Sequence, residues 1–344
     1  MVDKIIKLFN VNCGGEIGDV IVNGITNLQG DSILEKSHYL FKDQKLRNFL
    51  LNEPRGGVFK HCNIVVPSKE NKAVAGFIIL EPEDNPLMSG SNCICVATVL
   101  LEKNFIPIRE PITEFILEAP GGLIKVKAEC LNKKVKSIEI KNLPSYVDQL
   151  DVSIEVENFG TVTVSVVYGG DSFVICNASD FNLTIEPNYA KDFINLSSKI
   201  LKAANNQLGF SHPELDKLNY ISFCQFLEPI EINQKGIKEG KNTVCIRPGK
   251  LDRSPCGTGS SARLALMREK NEIDINEIFV SRSIIGSEFI CKIENEFVKE
   301  NIKYINPLIK GSAFITGQQE LYISKDDPFP QGYRLNDTWP QTSK

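Results

Sequence analysis

Histidine is scarce in this 344-residue chain. There are three, His38, His61 and His212, and none lies close in sequence to Ser89 or Cys256. A Cys/His or Ser/His hydrolase needs a base beside its nucleophile and a third group to orient that base. That class therefore lacks its central requirement. Long apolar runs are also missing. None reaches the roughly 18 residues that span a bilayer, and the opening MVDKIIKLFNVN has neither an apolar h-region nor a small-residue cleavage site. A soluble, cytoplasmic protein is expected. No long basic run occurs and the net charge is −4, which argues against a nucleic-acid partner and against electrostatic membrane binding. The glycine-rich turns contain no G-x-x-x-x-G-K-[ST], and no G-x-G-x-x-G follows a first strand. P-loop and dinucleotide-binding readings fail on that ground. Paired cysteine clusters are absent too. Cys93 and Cys95 form a C-x-C with no second Cys or His pair nearby, so no metal site is expected. The other cysteines lie mostly inside apolar runs, as at Cys176, Cys224, Cys245 and Cys291, and read as buried free thiols.

What is present is organised around Leu251–Asn271, LDRSPCGTGSSARLALMREKN. Pro255 and Gly257 flank Cys256, Gly259 follows, and an Ala/Leu/Met run forms a helix behind them. Cys256 thus sits at or beside a helix N-terminus. Unpaired backbone N–H groups and the helix dipole favour anions there, and they draw a thiol toward thiolate. A second stretch, Met88–Asn104, follows the same design. Ser89 falls on Cys256, Gly90 on Gly257 and Ser91 on Thr258, while Glu102-Lys103-Asn104 falls on Glu269-Lys270-Asn271, at a constant offset of 167 residues (256 − 89). Two such helix starts suggest a duplicated half-molecule with one catalytic group in each half. Structural alternatives stand beside each residue. Ser89 also reads as a plain helix cap, Cys256 as a structural thiol, Asp252 as a solvated turn residue, and Arg55 as either an ion-pair residue or a substrate clamp. Gly14-Gly15 and Gly169-Gly170 read as backbone turns.

The remaining pattern repeats in the same order. A strand over 5–12, a turn at 13–16 and a helix over 32–51 are followed by strands at 63–66 and 73–80 and by the Ser89 turn. Strands at 112–119, 123–128 and 135–141 close the first half. The second half offers strands at 161–167 and 173–177 and a helix over 189–206. Strands at 220–226 and 243–246 lead to the Cys256 turn, and strands at 278–284, 289–293, 302–305 and 313–323 follow. This predicts an α+β fold of two domains, 1–148 carrying Ser89 and 149–344 carrying Cys256, with the C-terminal tail free to pack back on the first half. With 42% hydrophobic residues, a core of ordinary size needs no disulfide staple. Two like halves in tandem would set their helix starts across an interdomain cleft, a common place for ligand sites.

These residues resemble the proline racemase superfamily, within the diaminopimelate-epimerase-like fold. The resemblance runs along essentially the whole chain. It is carried by Gly15-Glu16, Pro54-Arg55-Gly56, Met88-Ser89-Gly90, Tyr168-Gly169-Gly170 and the highly specific run Asp252–Gly259. It implies two pseudo-symmetric domains, each a β-barrel-like sheet around a central helix, and a cofactor-independent reaction on a proline-type amino acid. Ser89 and Cys256 would be the acid and base at the α-carbon. Gly90, Ser91, Gly257 and Thr258 would hold the substrate carboxylate, and Asp252 the ring nitrogen. The chain departs from the family at Met88-Ser89-Gly90-Ser91, where its epimerases usually read Met-Cys-Gly-His. The histidine that many relatives place in the second half has no clear counterpart, Phe223 or Cys224 standing near its position.

That departure bears on the reaction. Abstraction beside a carboxylate requires stabilising an enediolate, which preorganised N–H donors at helix starts supply. A desolvated thiolate is a usable base. A serine hydroxyl has no low-pKa form, and no His or Lys adjoins Ser89 in sequence to activate it. A substrate that loses its own β-hydroxyl avoids the second proton transfer. Relatives with Ser or Thr at the first position resemble trans-3-hydroxy-L-proline dehydratases. The expectation is therefore dehydration of trans-3-hydroxy-L-proline to Δ1-pyrroline-2-carboxylate. The alternative is a 2-epimerase of proline or hydroxyproline that uses the same Ser89/Cys256 pair. A non-enzymatic amino-acid-binding member is disfavoured by the intact thiol run. A small-molecule substrate, no cofactor, and a monomer or homodimer are expected.

Overall fold

A computed structural model describes residues 2–215, 218–324 and 326–340. The chain divides into two compact units, one built from the described residues up to Lys141 and from Lys310 onward, the other from Asn142–Ile309. In chain order the first unit contains β1 (Val2–Cys13), β2 (Glu16–Ile17), β3 (Asp19–Ile25), α1 (Ile33–Lys42), α2 (Gln44–Leu51), β4 (Cys62–Val66) and β5 (Ala75–Leu80). It continues with α3 (Gly90–Glu102), β6 (Ile112–Ala119), β7 (Gly122–Leu131) and β8 (Lys134–Lys141). The second unit contains β9 (Tyr146–Val156), β10 (Gly160–Tyr168), β11 (Ser172–Asn177), α4 (Ala190–Gln207), β12 (Phe223–Leu227), β13 (Glu231–Ile232) and β14 (Lys238–Ile246). Then follow β15 (Lys250–Leu251), α5 (Gly257–Glu269), β16 (Phe279–Arg282), β17 (Glu288–Lys299) and β18 (Ile302–Gly311), and β19 (Ala313–Tyr322) closes the list.

Strand pairing repeats between the units. In the first, β1 pairs antiparallel with β3, β3 parallel with β4, β4 antiparallel with β5, β5 parallel with β6 and β6 antiparallel with β7. In the second, β10, β11, β12, β14, β16 and β17 run through the same sequence of antiparallel and parallel pairs. Each unit wraps its sheet against one helix. The helix α3 packs on β1, β3, β4, β8 and β19, and α5 packs on β9, β10 and β17. Every residue of α3 from Gly90 to Leu101 and of α5 from Gly257 to Met267 is buried. Burial on all sides explains why neither helix shows an amphipathic stripe in sequence. The polar head of Arg263 inside α5 is accommodated because Nη1 donates to Lys241 O at 2.8 Å and Nη2 to Glu228 O at 2.7 Å. Its burial pulls the guanidinium down to about 10.

Three differences from the sequence expectation have physical causes. The helix expected over 32–51 is two helices. Asp43, at φ −82° and ψ 88°, leaves the helical region, and its carboxylate accepts from Lys45 N to cap α2. The boundary between the halves lies at Lys141/Asn142 rather than at 148/149, while the C-terminal segment packs with the first unit. Tyr146–Asp148 are part of β9, which pairs with β10, and residues from Lys310 belong with the first unit because β19 pairs antiparallel with β1 from Ile5↔Tyr322 to Cys13↔Ala313. The strand expected at 220–226 begins only at Phe223, where β12 takes its parallel register with β11.

Candidate functional site

Each unit presents a serine or a cysteine as the N-cap of its central helix. In the first unit Ser89 has φ −146° and ψ 122° and caps α3, but its side chain makes no capping bond to the helix backbone. That sets aside the plain-cap reading. Its Oγ instead accepts from Asn92 Nδ2 at 2.9 Å, with Ser91 Oγ 3.4 Å away. The helix ladder begins with Cys93 N donating to Ser89 O at 3.0 Å. The N–H groups of Gly90 and Ser91 stand ahead of that first bond, as helix geometry requires. Gly18 lies against this start. A Cβ there would come within 2.9 Å of both Asn92 Oδ1 and Cys95 Sγ, so only glycine lets the strand and α3 approach.

In the second unit Cys256 caps α5 at φ 59° and ψ 111°. A non-glycine residue held there stores roughly 1–3 kcal/mol of backbone strain, and such strain persists only where the surroundings over-determine it. They do so here. Cys256 N donates to Ser254 Oγ at 3.1 Å, and Ser254 N donates to Asp252 Oδ1 at 2.8 Å. The Pro255 carbonyl receives Asn242 Nδ2 at 3.1 Å and Ser260 Oγ–H at 3.0 Å. The sulfur accepts from Gly259 N at 3.3 Å and lies 3.5 Å from Thr258 Oγ1. The N–H groups of Gly257 and Thr258 precede the first ladder bond, Ser260 N to Cys256 O at 2.8 Å. Gly169 answers Gly18, since a Cβ on it would lie 2.2 Å from Thr258 O.

Among residues named from sequence, Asp252 is buried, at 7% exposure, and its carboxylate orders the Cys256 turn. It is not a solvated turn residue. Arg55 is tied up structurally. Nε donates to Phe49 O at 2.8 Å, Nη1 pairs with Asp327 Oδ2 at 3.1 Å, and the guanidinium lies over the Phe49 ring. This favours the ion-pair role over the clamp. His61 is buried within 3.8 Å of Glu16 and 3.6 Å of Glu81. His212 sits edge-on to Tyr168 at 4.5 Å, and burial lowers its pKa. Phe223 and Cys224 are both buried strand residues of β12, and burial pushes the Cys224 thiol well up. None of the ten cysteines is in a disulfide, and all are buried.

Sequence reasoning missed the side-chain amides behind each helix start. Asn63 on β4 donates through Nδ2 to Asn92 Oδ1 at 2.8 Å and to Asp19 O at 3.3 Å. Gln225 on β12 donates through Nε2 to Gly259 O at 3.1 Å and to Asn242 Oδ1 at 2.9 Å. Both amides are wholly buried. The available signal was a lone amide inside each otherwise apolar strand, Cys62-Asn63-Ile64 and Cys224-Gln225-Phe226. Asp19, behind Asn63, is paired with Lys60 Nζ at 3.1 Å, and burial holds its carboxyl above the usual range.

Two units of one design, each with a central buried helix whose first N–H groups surround an N-cap Ser or Cys, define a duplicated α+β enzyme fold. A family model described as proline racemase matches residues 8–334. The chain belongs to the proline racemase family. It is similar to a hydroxyproline epimerase from Agrobacterium vitis, crystallised with trans-4-hydroxy-L-proline, with 33% identity over 98% of both chains and a TM-score of 0.91. It is equally similar to a probable proline racemase from Agrobacterium radiobacter K84 with bound carbonate, again 33% identical over 98% of both chains at a TM-score of 0.91. A PhzF-family phenazine biosynthesis protein from Bacillus anthracis shares the fold alone, at 13% identity and a TM-score of 0.58 over 93% of this chain and 100% of that one. No helix among the described residues is long and apolar enough to cross a membrane.

Proposed function

We propose that this protein is a cofactor-independent 2-epimerase of a proline-type amino acid, with hydroxyproline as its substrate. The observation that carries the proposal is the pair of N-capping residues, Ser89 and Cys256, each receiving an N–H from the residue three positions on. Family membership and the similarity to a hydroxyproline epimerase support it. In this reading the Cys256 sulfur, stabilised as thiolate by Gly259 N–H and the helix dipole, takes the α-proton. The N–H groups of Gly90, Ser91, Gly257 and Thr258 hold the carboxylate and the enediolate charge that develops on it. Asp252 meets the ring ammonium. Ser89 serves the opposite face of the same α-carbon.

A second reading, dehydration of trans-3-hydroxy-L-proline, is favoured by one residue, Ser89, because a hydroxyl is a poor base and a leaving hydroxide needs only a proton donor. One experiment tests both. Incubation in D2O with trans-4-hydroxy-L-proline and with trans-3-hydroxy-L-proline, followed by NMR, gives α-deuteration and the 2-epimer under the first reading. The second gives pyrroline-2-carboxylate from the 3-hydroxy compound alone. The absence of all of these products would sink the family-level reaction together with both proposals.

A further inference from the structure

We propose that Asn92 is a positioning residue that fixes Ser89 as a hydrogen-bond acceptor and thereby makes its hydroxyl the proton donor of the reaction. The inference rests on the α-carbon chemistry proposed above. Its foundation is a hydrogen-bond chain whose polarity is set at one end. Asp19 O is a backbone carbonyl and can only accept, so Asn63 turns its NH2 group toward it at 3.3 Å. The same NH2 reaches Asn92 Oδ1 at 2.8 Å. Asn92 must then present its own NH2 to Ser89 Oγ, at 2.9 Å. Asn63 and Asn92 are 0% and 1% exposed, so no water competes for these bonds. Gly18, by having no Cβ, keeps the space beside Asn92 Oδ1 open.

With Asn92 donating to it, Ser89 has its own O–H directed elsewhere. Within the unit the described side-chain acceptor in reach is Ser91 Oγ at 3.4 Å, at the long limit of an O–H···O bond. The proton is therefore available to a substrate at the helix start. When Cys256 thiolate has taken the α-proton, Ser89 O–H breaks and a new C–H bond forms on the opposite face. The alkoxide left behind keeps the Asn92 N–H bond and the field of the helix start. After product release the alkoxide takes a proton from water and the Cys256 thiol returns one, so the protons balance. The second unit solves the same problem with backbone alone. Gly259, at the position corresponding to Asn92, gives its N–H directly to Cys256 Sγ. Serine, the weaker acid, receives a side-chain amide that is locked from behind.

The test is Asn92→Asp. The carboxylate still accepts from Asn63 but no longer donates, so it draws the Ser89 proton to itself. For the wild type and this variant, kcat and KM are measured with each hydroxyproline epimer, together with α-proton exchange into D2O for the epimer whose proton faces Cys256. The proposal expects kcat to fall about 100-fold or more, in the range of a lost general acid, with KM changed less than about threefold and Cys256-face exchange retained. Asn92→Ala, which adds no charge, should lose about tenfold in kcat with the same retained exchange. Unchanged kcat in Asn92→Asp overturns the proposal. So does loss of Cys256-face exchange in parallel with turnover in both variants, which would mark a structural role. A wild-type protein that exchanges no α-proton overturns the underlying reaction, and this proposal with it.

Discussion

Gly259 gives its backbone N–H to the sulfur of Cys256 at 3.3 Å, so the thiol is held by the first turn of the helix it caps. Burial pushes Cys62, Cys245 and Cys291 up to about 12, whereas the Cys256 sulfur has an N–H donor and the positive end of a helix dipole. Iodoacetamide should therefore label Cys256 faster than the other nine cysteines, and a proline-type ligand should slow that labelling. Peptide mapping by mass spectrometry reads the rates. Uniform labelling that ignores ligand would contradict a thiolate at this position. Cys256→Ser should abolish turnover, a loss of at least about 1,000-fold, with an unchanged circular dichroism spectrum.

The role of Asp252 separates from its structural one by an isosteric change. Asp252→Asn keeps an oxygen to accept from Ser254 N, so the Cys256 turn is preserved, but it removes the charge. Pyrrole-2-carboxylate, planar like the deprotonated substrate, has no cationic nitrogen. The variant should bind hydroxyproline at least about tenfold more weakly while its inhibition by pyrrole-2-carboxylate changes less than about threefold. Equal losses for both would remove Asp252 from contact with the ammonium.

In the proposed reading, position 89 sets the balance between epimerisation and dehydration. A thiol, with pKa about 8.5, ionises far more readily than a hydroxyl, and the helix start stabilises its anion further. Ser89→Cys should raise α-proton exchange on the Ser89 face by about tenfold or more and increase epimerisation relative to any dehydration of trans-3-hydroxy-L-proline. A variant that dehydrates faster and exchanges no faster contradicts this.

Much of the molecule was legible in its sequence. The duplicated helix starts at Ser89 and Cys256, the buried thiols and the α+β alternation are all local signals, carried by Gly, Ser and Cys in fixed register. What escaped depends on long-range neighbours. The break at Asp43 interrupts a helical pattern whose apolar spacing runs on through it, and only the cap to Lys45 ends the first helix there. That the C-terminal tail can return to the first half is expected from sequence, but its pairing with β1 joins residues about 300 apart, a partner no local pattern specifies. The Asn63–Asn92 and Gln225–Gly259 contacts depend on strand register, and a lone amide in an apolar strand does not reveal what it faces.

His212 gives a pH signature in the second unit. It packs against Tyr146 and Tyr168, and its Nδ1 accepts from Glu214 N at 3.1 Å, which requires a neutral ring. Burial lowers its pKa from 6.5, and the nearby Glu214 carboxylate opposes that only in part. Because the folded pKa lies below the unfolded one, the contribution to stability is present above about 6.5 and is lost as pH falls through the folded value. Thermal melts from pH 8 to pH 5 should show a steeper acid-side fall for the wild type than for His212→Asn. Parallel curves would contradict the assignment.

The most direct test of the central account is exchange at the α-carbon. Purified protein is incubated in D2O with trans-4-hydroxy-L-proline, with no added cofactor, and followed by proton NMR. The account expects the α-proton signal to decay and the 2-epimer to appear with deuterium at its α-carbon, and both to vanish in Cys256→Ser. An α-proton that persists for trans-4-hydroxy-L-proline, trans-3-hydroxy-L-proline and L-proline alike would contradict it.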